Sequence, residues 1–161
     1  MGKIINVKRA VELIKKFKND GKIIALAGGC FDILHIGHIE FLKEAKKEGD
    51  FLFILLESDE TIKKLKGENR PINTQEDRAK ILEALENVDY IVLLPKLEKD
   101  SDYDNLIIRL KPDKIAETKD DPFKSHKQRQ AKLVGAEIVE VVDMIKNQST
   151  TKLVKLLSES N

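Results

Sequence analysis

With 161 residues, 41% of them hydrophobic and 35% charged, the chain holds apolar material for one packed domain, residues 1–161, and is short for two. Its 29 basic and 28 acidic residues leave a formal net charge of +1, which argues against a general nucleic-acid binder, and the lysines are dispersed among acids as on a solvated surface. Cys30 is the only cysteine, which excludes an intrachain disulfide and any cysteine-rich metal cluster. That usage suits a reducing, cytoplasmic setting. Charged residues interrupt Met1 to Phe17, so no signal peptide is expected, and no apolar run nears the roughly 20 residues of a membrane span.

In chain order, Val7, Ala10, Val11, Leu13, Ile14 and Phe17 recur at helical spacing behind Asn6, predicting an N-terminal helix within residues 1–21 that stops at Gly21. The α/β core is expected over 22–157. Ile23–Ala27 reads as a buried strand running into Gly28-Gly29, Ile36–Lys47 as a helix closed by Gly49, and Phe51–Leu56 as a second strand. No apolar period marks 62–73, which predicts a mobile loop. Gln75–Leu85 is helical behind a Thr74 cap, Tyr90–Leu94 is a strand, and a loop follows Pro95. Tyr103–Leu110 then predicts a helix, Lys114–Ala116 a short strand, Lys124–Val134 a helix ended by Gly135, and Glu137–Val142 a strand. A last helix over Thr150–Leu157 is capped by Ser149, leaving 158–161 as a frayed tail. Strands alternating with helices cannot pair as hairpins. The fold expected is therefore α/β: a Rossmann-like, doubly wound parallel sheet with helices on both faces. Ligands of such sheets collect beyond the carboxyl ends of the strands, where the strand order reverses.

The segment Gly28-Gly29-Cys30-Phe31-Asp32-Ile33-Leu34-His35-Ile36-Gly37-His38 falls at that end, between a buried strand and a helix. The amides of a helix N-terminus and its partial positive charge suit a triphosphate. Gly37 removes a side chain where a ligand approaches. His35 and His38, two of the three histidines, stand three apart and so turn to one side, where imidazole N–H groups can donate to phosphate oxygens. The Ser149-Thr150-Thr151 hydroxyls at another helix start offer further donors.

This segment resembles the H-x-G-H signature, with its preceding Gly-x-Phe-Asp, of the cytidylyltransferase-like nucleotidyltransferases. Leu65-Lys66-Gly67, Arg70-Pro71-Ile72-Asn73 and Glu76-Asp77-Arg78 are similar to the matching region of bacterial heptose-1-phosphate adenylyltransferases, as is the opening helix. Ser149-Thr150-Thr151 resembles the family's Ser-Thr-Thr motif, so the likeness spans nearly the whole chain. The resemblance implies transfer of a nucleoside monophosphate from a triphosphate, ATP or CTP, to a phosphorylated small metabolite, with release of pyrophosphate. The acceptor it favours is a sugar 1-phosphate with ATP; the alternative is cytidylyl transfer to glycerol 3-phosphate or another alcohol phosphate. It further implies that His35, His38 and Lys66 act on the phosphates, Lys66 from its loop. Gly29, Cys30, Phe31, Asp32, Gly37, Ser149, Thr150 and Thr151 would form the nucleotide site, and Mg²⁺ would be held mainly by the triphosphate, with no protein metal site. Arg70 and Asp120 fall in the acceptor or nucleoside region. Asp32 and Arg78 read more readily as structural, Arg78 through a nearby acid.

The family's Gly-Gly-Asp or Gly-Asp-Asp segment is replaced by Ala116-Glu117-Thr118-Lys119-Asp120-Asp121-Pro122, so base preference does not transfer. An arginine found upstream of the Ser-Thr-Thr motif in glycerol-phosphate cytidylyltransferases is answered only by Lys146. Class I aminoacyl-tRNA synthetases share the His-Ile-Gly-His letters, but this chain is short for them and lacks their charge. A non-catalytic nucleotide sensor is a further alternative. The expected partners are small molecules, with neither nucleic acid nor membrane, and a homodimer is an open assembly.

Overall fold

The computed structural model describes residues 2–142 and 149–160, so Lys146 and Asn161 lie outside the described residues. Six parallel strands form one sheet in the order β1-β4-β3-β2-β5-β6. They are β1 (Lys3–Asn6), β2 (Ile24–Gly29), β3 (Phe51–Leu56), β4 (Tyr90–Leu93), β5 (Lys114–Thr118) and β6 (Glu137–Val142). The central strands, Ile-Ala-Leu-Ala and Phe-Leu-Phe-Ile-Leu-Leu, are apolar throughout because helices cover both faces. One face buries Ile24, Leu26, Phe53, Leu55 and Ile115 against α1 (Val7–Asn19), α5 (Asp100–Leu110) and α6 (Lys124–Val134). The other buries Ala25, Ala27, Ile54, Leu56 and Ala116 against α2 (Ile36–Lys47) and α4 (Gln75–Glu83). This is the doubly wound α/β fold expected. Its order reverses between β2 and β5, so the crevice opens above their carboxyl ends.

Several elements differ from the sequence reading. The chain does not open directly on a helix: Lys3–Asn6 pairs with β4 in register Lys3↔Tyr90 to Asn6↔Leu93, a tertiary pairing that four residues cannot announce. Gly2 is fitted beneath it, where a Cβ would stand 2.8 Å from Ile91 Cδ1. The loop expected over 62–73 is shortened by α3 (Asp59–Lys66), capped by Ser58, whose hydroxyl accepts from the Thr61 amide. Only Thr61 and Ile62 of this two-turn helix are buried, too few to show a period. α5 starts at Asp100 rather than Tyr103, with Asp102 accepting from the Glu98 and Lys99 amides. The last helix, α7 (Thr150–Glu159), runs past Leu157 into the stretch read as frayed.

Candidate active site

β2 delivers the chain into the turn before α2, and the turn is held from beneath. Phe31 takes a left-handed backbone, φ 46°, and its ring folds back so closely that a Cβ on Gly29 would stand 2.9 Å from Cε2. Gly29 is thus required by packing within the turn. Asp32 is buried and does not line the cavity; it accepts from the amides of Ile72 and Asn73, at 2.9 Å each, and from Arg70 Nε at 2.7 Å. Burial pushes its carboxyl up, but these donors outweigh burial and leave it below the usual carboxylate range. The 70–73 segment, read as part of a mobile loop, is therefore tied to the turn. Arg78 is also buried, and donates to the carbonyls of Cys30, Glu57 and Asn73 and to the Asp59 carboxylate at 2.7 Å.

The two histidines are oriented by backbone. His35 caps α2: the Gly37 amide donates to its Nδ1 at 3.1 Å. The His35 amide in turn donates to His38 Nδ1 at 3.4 Å, and the two rings lie with centroids 3.9 Å apart. An imidazole nitrogen that accepts carries no proton, so each neutral ring bears its hydrogen on Nε2. Burial lowers the pKa of His35, and burial followed by repulsion from His35 brings His38 down to about 4. Near neutral pH the pair therefore presents two uncharged Nε2–H donors at a helix N-terminus.

Both histidines line a cavity of about 450 Å³. Of the residues singled out in the sequence, Gly29, Cys30, Phe31, His35, Gly37, His38, Lys66, Arg70, Ser149, Thr150 and Thr151 line it together. Thr150 Oγ1 donates to the Ile33 carbonyl at 2.8 Å, Arg70 Nη1 approaches Thr151 Oγ1 at 3.4 Å, and Ser149 caps α7 by accepting from the Lys152 amide. The start of α7 is thereby held against the turn. Lys66 is the last residue of α3 rather than a loop residue, and Gly67 after it has φ 102°. Asp120 is exposed and does not line the cavity; its neighbour Asp121 does, bonded to Lys127 Nζ at 2.5 Å. Sequence reasoning missed Thr118, Asp121, Phe123 and Lys127, which also line the cavity. Phe123 is an exposed aromatic just before α6, and that exposure is the one signal that marks it.

Residues 26–158 match the family model described as cytidylyltransferase-like. The bifunctional protein HldE of Aliarcobacter butzleri is 41% identical over 152 residues, 92% of this chain, and that of Nitratiruptor sp. is 42% identical over 149 residues, 90% of this chain. The chain spans about 30% of the length of those proteins. A crystal structure of a lipopolysaccharide core biosynthesis protein from Thermoplasma volcanium is 32% identical, with a TM-score of 0.60 over 80% of this chain and all of that one. A pantoate-beta-alanine ligase from Francisella tularensis shares the fold at 16% identity and a TM-score of 0.65, over 98% of this chain and 77% of that one.

Proposed function

The chain belongs to the cytidylyltransferase-like family, and from that premise we propose that it transfers AMP from ATP to a sugar 1-phosphate with release of pyrophosphate. The observation that carries this reading is the pair of imidazoles pinned at Nδ1, which leaves Nε2–H as their donor, lining one cavity with Lys66 and Ser149, Thr150 and Thr151 at the start of α7. An acceptor phosphate is already a nucleophile. One of its oxygens attacks the α-phosphorus, the bond from that phosphorus to the bridging oxygen breaks, and pyrophosphate leaves with the electron pair. Charge accumulates on the α-phosphoryl oxygens and the leaving group, so catalysis consists of positioning and of donors aimed at those oxygens. The His35 and His38 Nε2–H groups serve the α-phosphate, Lys66 the departing pyrophosphate, and Ser149, Thr150 and Thr151 the terminal phosphates. The resemblance to heptose-1-phosphate adenylyltransferases favours the sugar acceptor, and the identity shared with a lipopolysaccharide core biosynthesis protein supports it.

Mg²⁺ fits this site as a companion of the triphosphate. The cavity wall offers imidazoles, hydroxyls and the cations Lys66, Arg70 and Lys127, and its Asp121 carboxylate is already paired with Lys127, so the ion would be held by phosphate oxygens and water. When bound, it neutralises phosphate charge. No described helix is long and apolar enough to cross a membrane, and a reaction fed by nucleoside triphosphates belongs in the cytoplasm. The test is a pyrophosphate-release screen of ATP and CTP against phosphorylated acceptors, with and without chelator. Release that needs an acceptor supports transfer. Tight ATP binding without release under any acceptor would make the chain a sensor, and preference for CTP with glycerol 3-phosphate would replace the substrate pair.

A further inference from the structure

On the sheet face that carries α5, behind Cys30 of the cavity wall and outside the lining itself, stands a polar pair, Glu57 and Tyr103, that the reaction above leaves unused. β3 ends with Leu56 level with Gly29, and the Glu57 amide donates to the Gly29 carbonyl at 3.2 Å. Glu57 is thereby set beside Cys30, which opens the turn and forms part of the cavity wall. Strand alternation sends Phe53 and Leu55 into the core under α1 and α5, and Glu57 continues that row. There Tyr103 Oη donates to Glu57 Oε2 at 3.1 Å, with both residues half-buried.

The carboxylate has no ion pair among the described residues, and its Oε1 accepts no hydrogen bond among them. The guanidinium nearby, Arg78, is committed to three backbone carbonyls and to Asp59. Burial raises the Glu57 carboxyl, and burial followed by the charge of Glu57 pushes the Tyr103 phenol well above its ordinary range, so it stays a donor. A desolvated carboxylate without a cation is costly, and a tie between β3 and α5 would be met equally by an uncharged amide. Two opposite charges bear on the Cys30 thiol: Lys66, which lines the cavity and is the cation acting most strongly on it, and Glu57. A phosphorylated acceptor entering here is oriented by that polarity. Its phosphate is drawn toward Lys66 and the histidines, and its other end meets a group that can only accept hydrogen bonds.

We propose that Glu57, oriented by Tyr103, is a specificity-determining residue that accepts hydrogen bonds from the hydroxyls of the acceptor, restricting it to polyhydroxylated phosphates. The inference rests on the transfer reaction proposed above and names the part of the acceptor that reaction leaves open. A tail bearing a carboxylate or a second phosphate is repelled by the same group.

The test compares four probes with ATP and with CTP: mannose 1-phosphate, glucose 1-phosphate, glycerol 3-phosphate and methyl phosphate. The best of the first three should exceed methyl phosphate in kcat/KM by roughly a hundredfold, as expected when more than one hydroxyl bonds to a charged acceptor. Glu57→Ala should cut that preference roughly tenfold or more by raising the acceptor KM, while the KM for the triphosphate stays within about twofold. Glu57→Gln, which keeps an accepting Oε1, should recover part of the loss, and Tyr103→Phe should fall between. A purely structural role would raise both KM values together. That outcome, or a preference unchanged in Glu57→Ala, overturns the assignment while leaving the transfer reaction in place. If ATP binds but no probe is turned over, the transfer reaction fails and this assignment fails with it.

Discussion

Acid should destabilise the protein through His38 in a window fixed by its environment. The imidazole titrates at about 4 in the folded protein, against an ordinary value of 6.5 in the unfolded chain. The folded value is the lower one, so the unfolded state binds the proton more tightly. The stabilisation is therefore complete above about pH 6.5 and is lost as pH falls from there through about 4. Between pH 7 and pH 5 the two values give a loss of about 2 kcal/mol from this residue alone. The assay is urea unfolding of the wild type and of His38→Gln at pH 7, 6 and 5. Other titrating groups, Asp32 and Glu57 among them, affect both proteins alike, so the difference between the curves isolates His38. The wild type should lose about 2 kcal/mol more than the variant over that range, and ¹⁵N spectra at pH 7 should show His38 protonated on Nε2. Curves that fall in parallel, or a proton on Nδ1, would refute the reasoning that the backbone holds His38 as a neutral Nε2–H donor.

His35→Ala and His38→Ala should each lower kcat roughly 10²- to 10³-fold with the circular dichroism spectrum unchanged; turnover within tenfold of wild type would remove the imidazoles from the chemistry. Lys66→Ala should lower turnover well beyond Lys63→Ala, since Lys66 lines the cavity while Lys63 is exposed and paired with Glu68 at 2.7 Å. Equal losses across a range of salt would leave only a generally basic rim. Arg70→Met should cost about 3 kcal/mol by stranding the buried Asp32 charge, at the low end for a broken buried pair because the Ile72 and Asn73 amides remain. Additivity with Asp32→Asn in a double-mutant cycle would contradict that coupling.

What the sequence discloses and what it conceals divide by range. The βα unit around His35 and His38 is legible because an uninterrupted apolar strand, a glycine turn and a helical period lie within 24 residues of one another, from Ile24 to Lys47. The supports of that turn come from far along the chain. Arg70 meets Asp32 across 38 positions, and Arg78 finds its acid at Asp59, 19 positions earlier, along with carbonyls that carry no side-chain signal. Asp120 and Asp121 cannot be told apart by sequence, since which one faces the cavity depends on how the chain leaves β5. A register shift between Glu117 and Thr118, where Glu117 opposes Glu140 and Thr118 opposes Val142, sets that exit. β1 and α3 escaped for a related reason, each being too short to repeat a pattern.

The charges around the cavity explain why neutral histidines suffice. Of the three lining cations among the described residues, Arg70 is bound to Asp32 and Lys127 to Asp121, and Lys66 makes no such pair. Imidazolium groups would add positive charge, but at the expense of burying it 3.9 Å, ring to ring, from a like charge. The protein instead supplies oriented dipoles: two Nε2–H groups, the amides opening α2, and the capped start of α7. Dipoles fixed before the ligand arrives need no reorganisation as charge moves onto the leaving group, and they donate equally well across the neutral pH range. The balance of a triphosphate's charge then falls to Lys66 and to whatever cation travels with the nucleotide. This division makes Lys66 the residue whose loss salt cannot mimic, because an ammonium at the cavity wall, unpaired among the described residues, acts on a ligand at contact range, where screening is weak, whereas Lys63 is outside the lining and paired with Glu68.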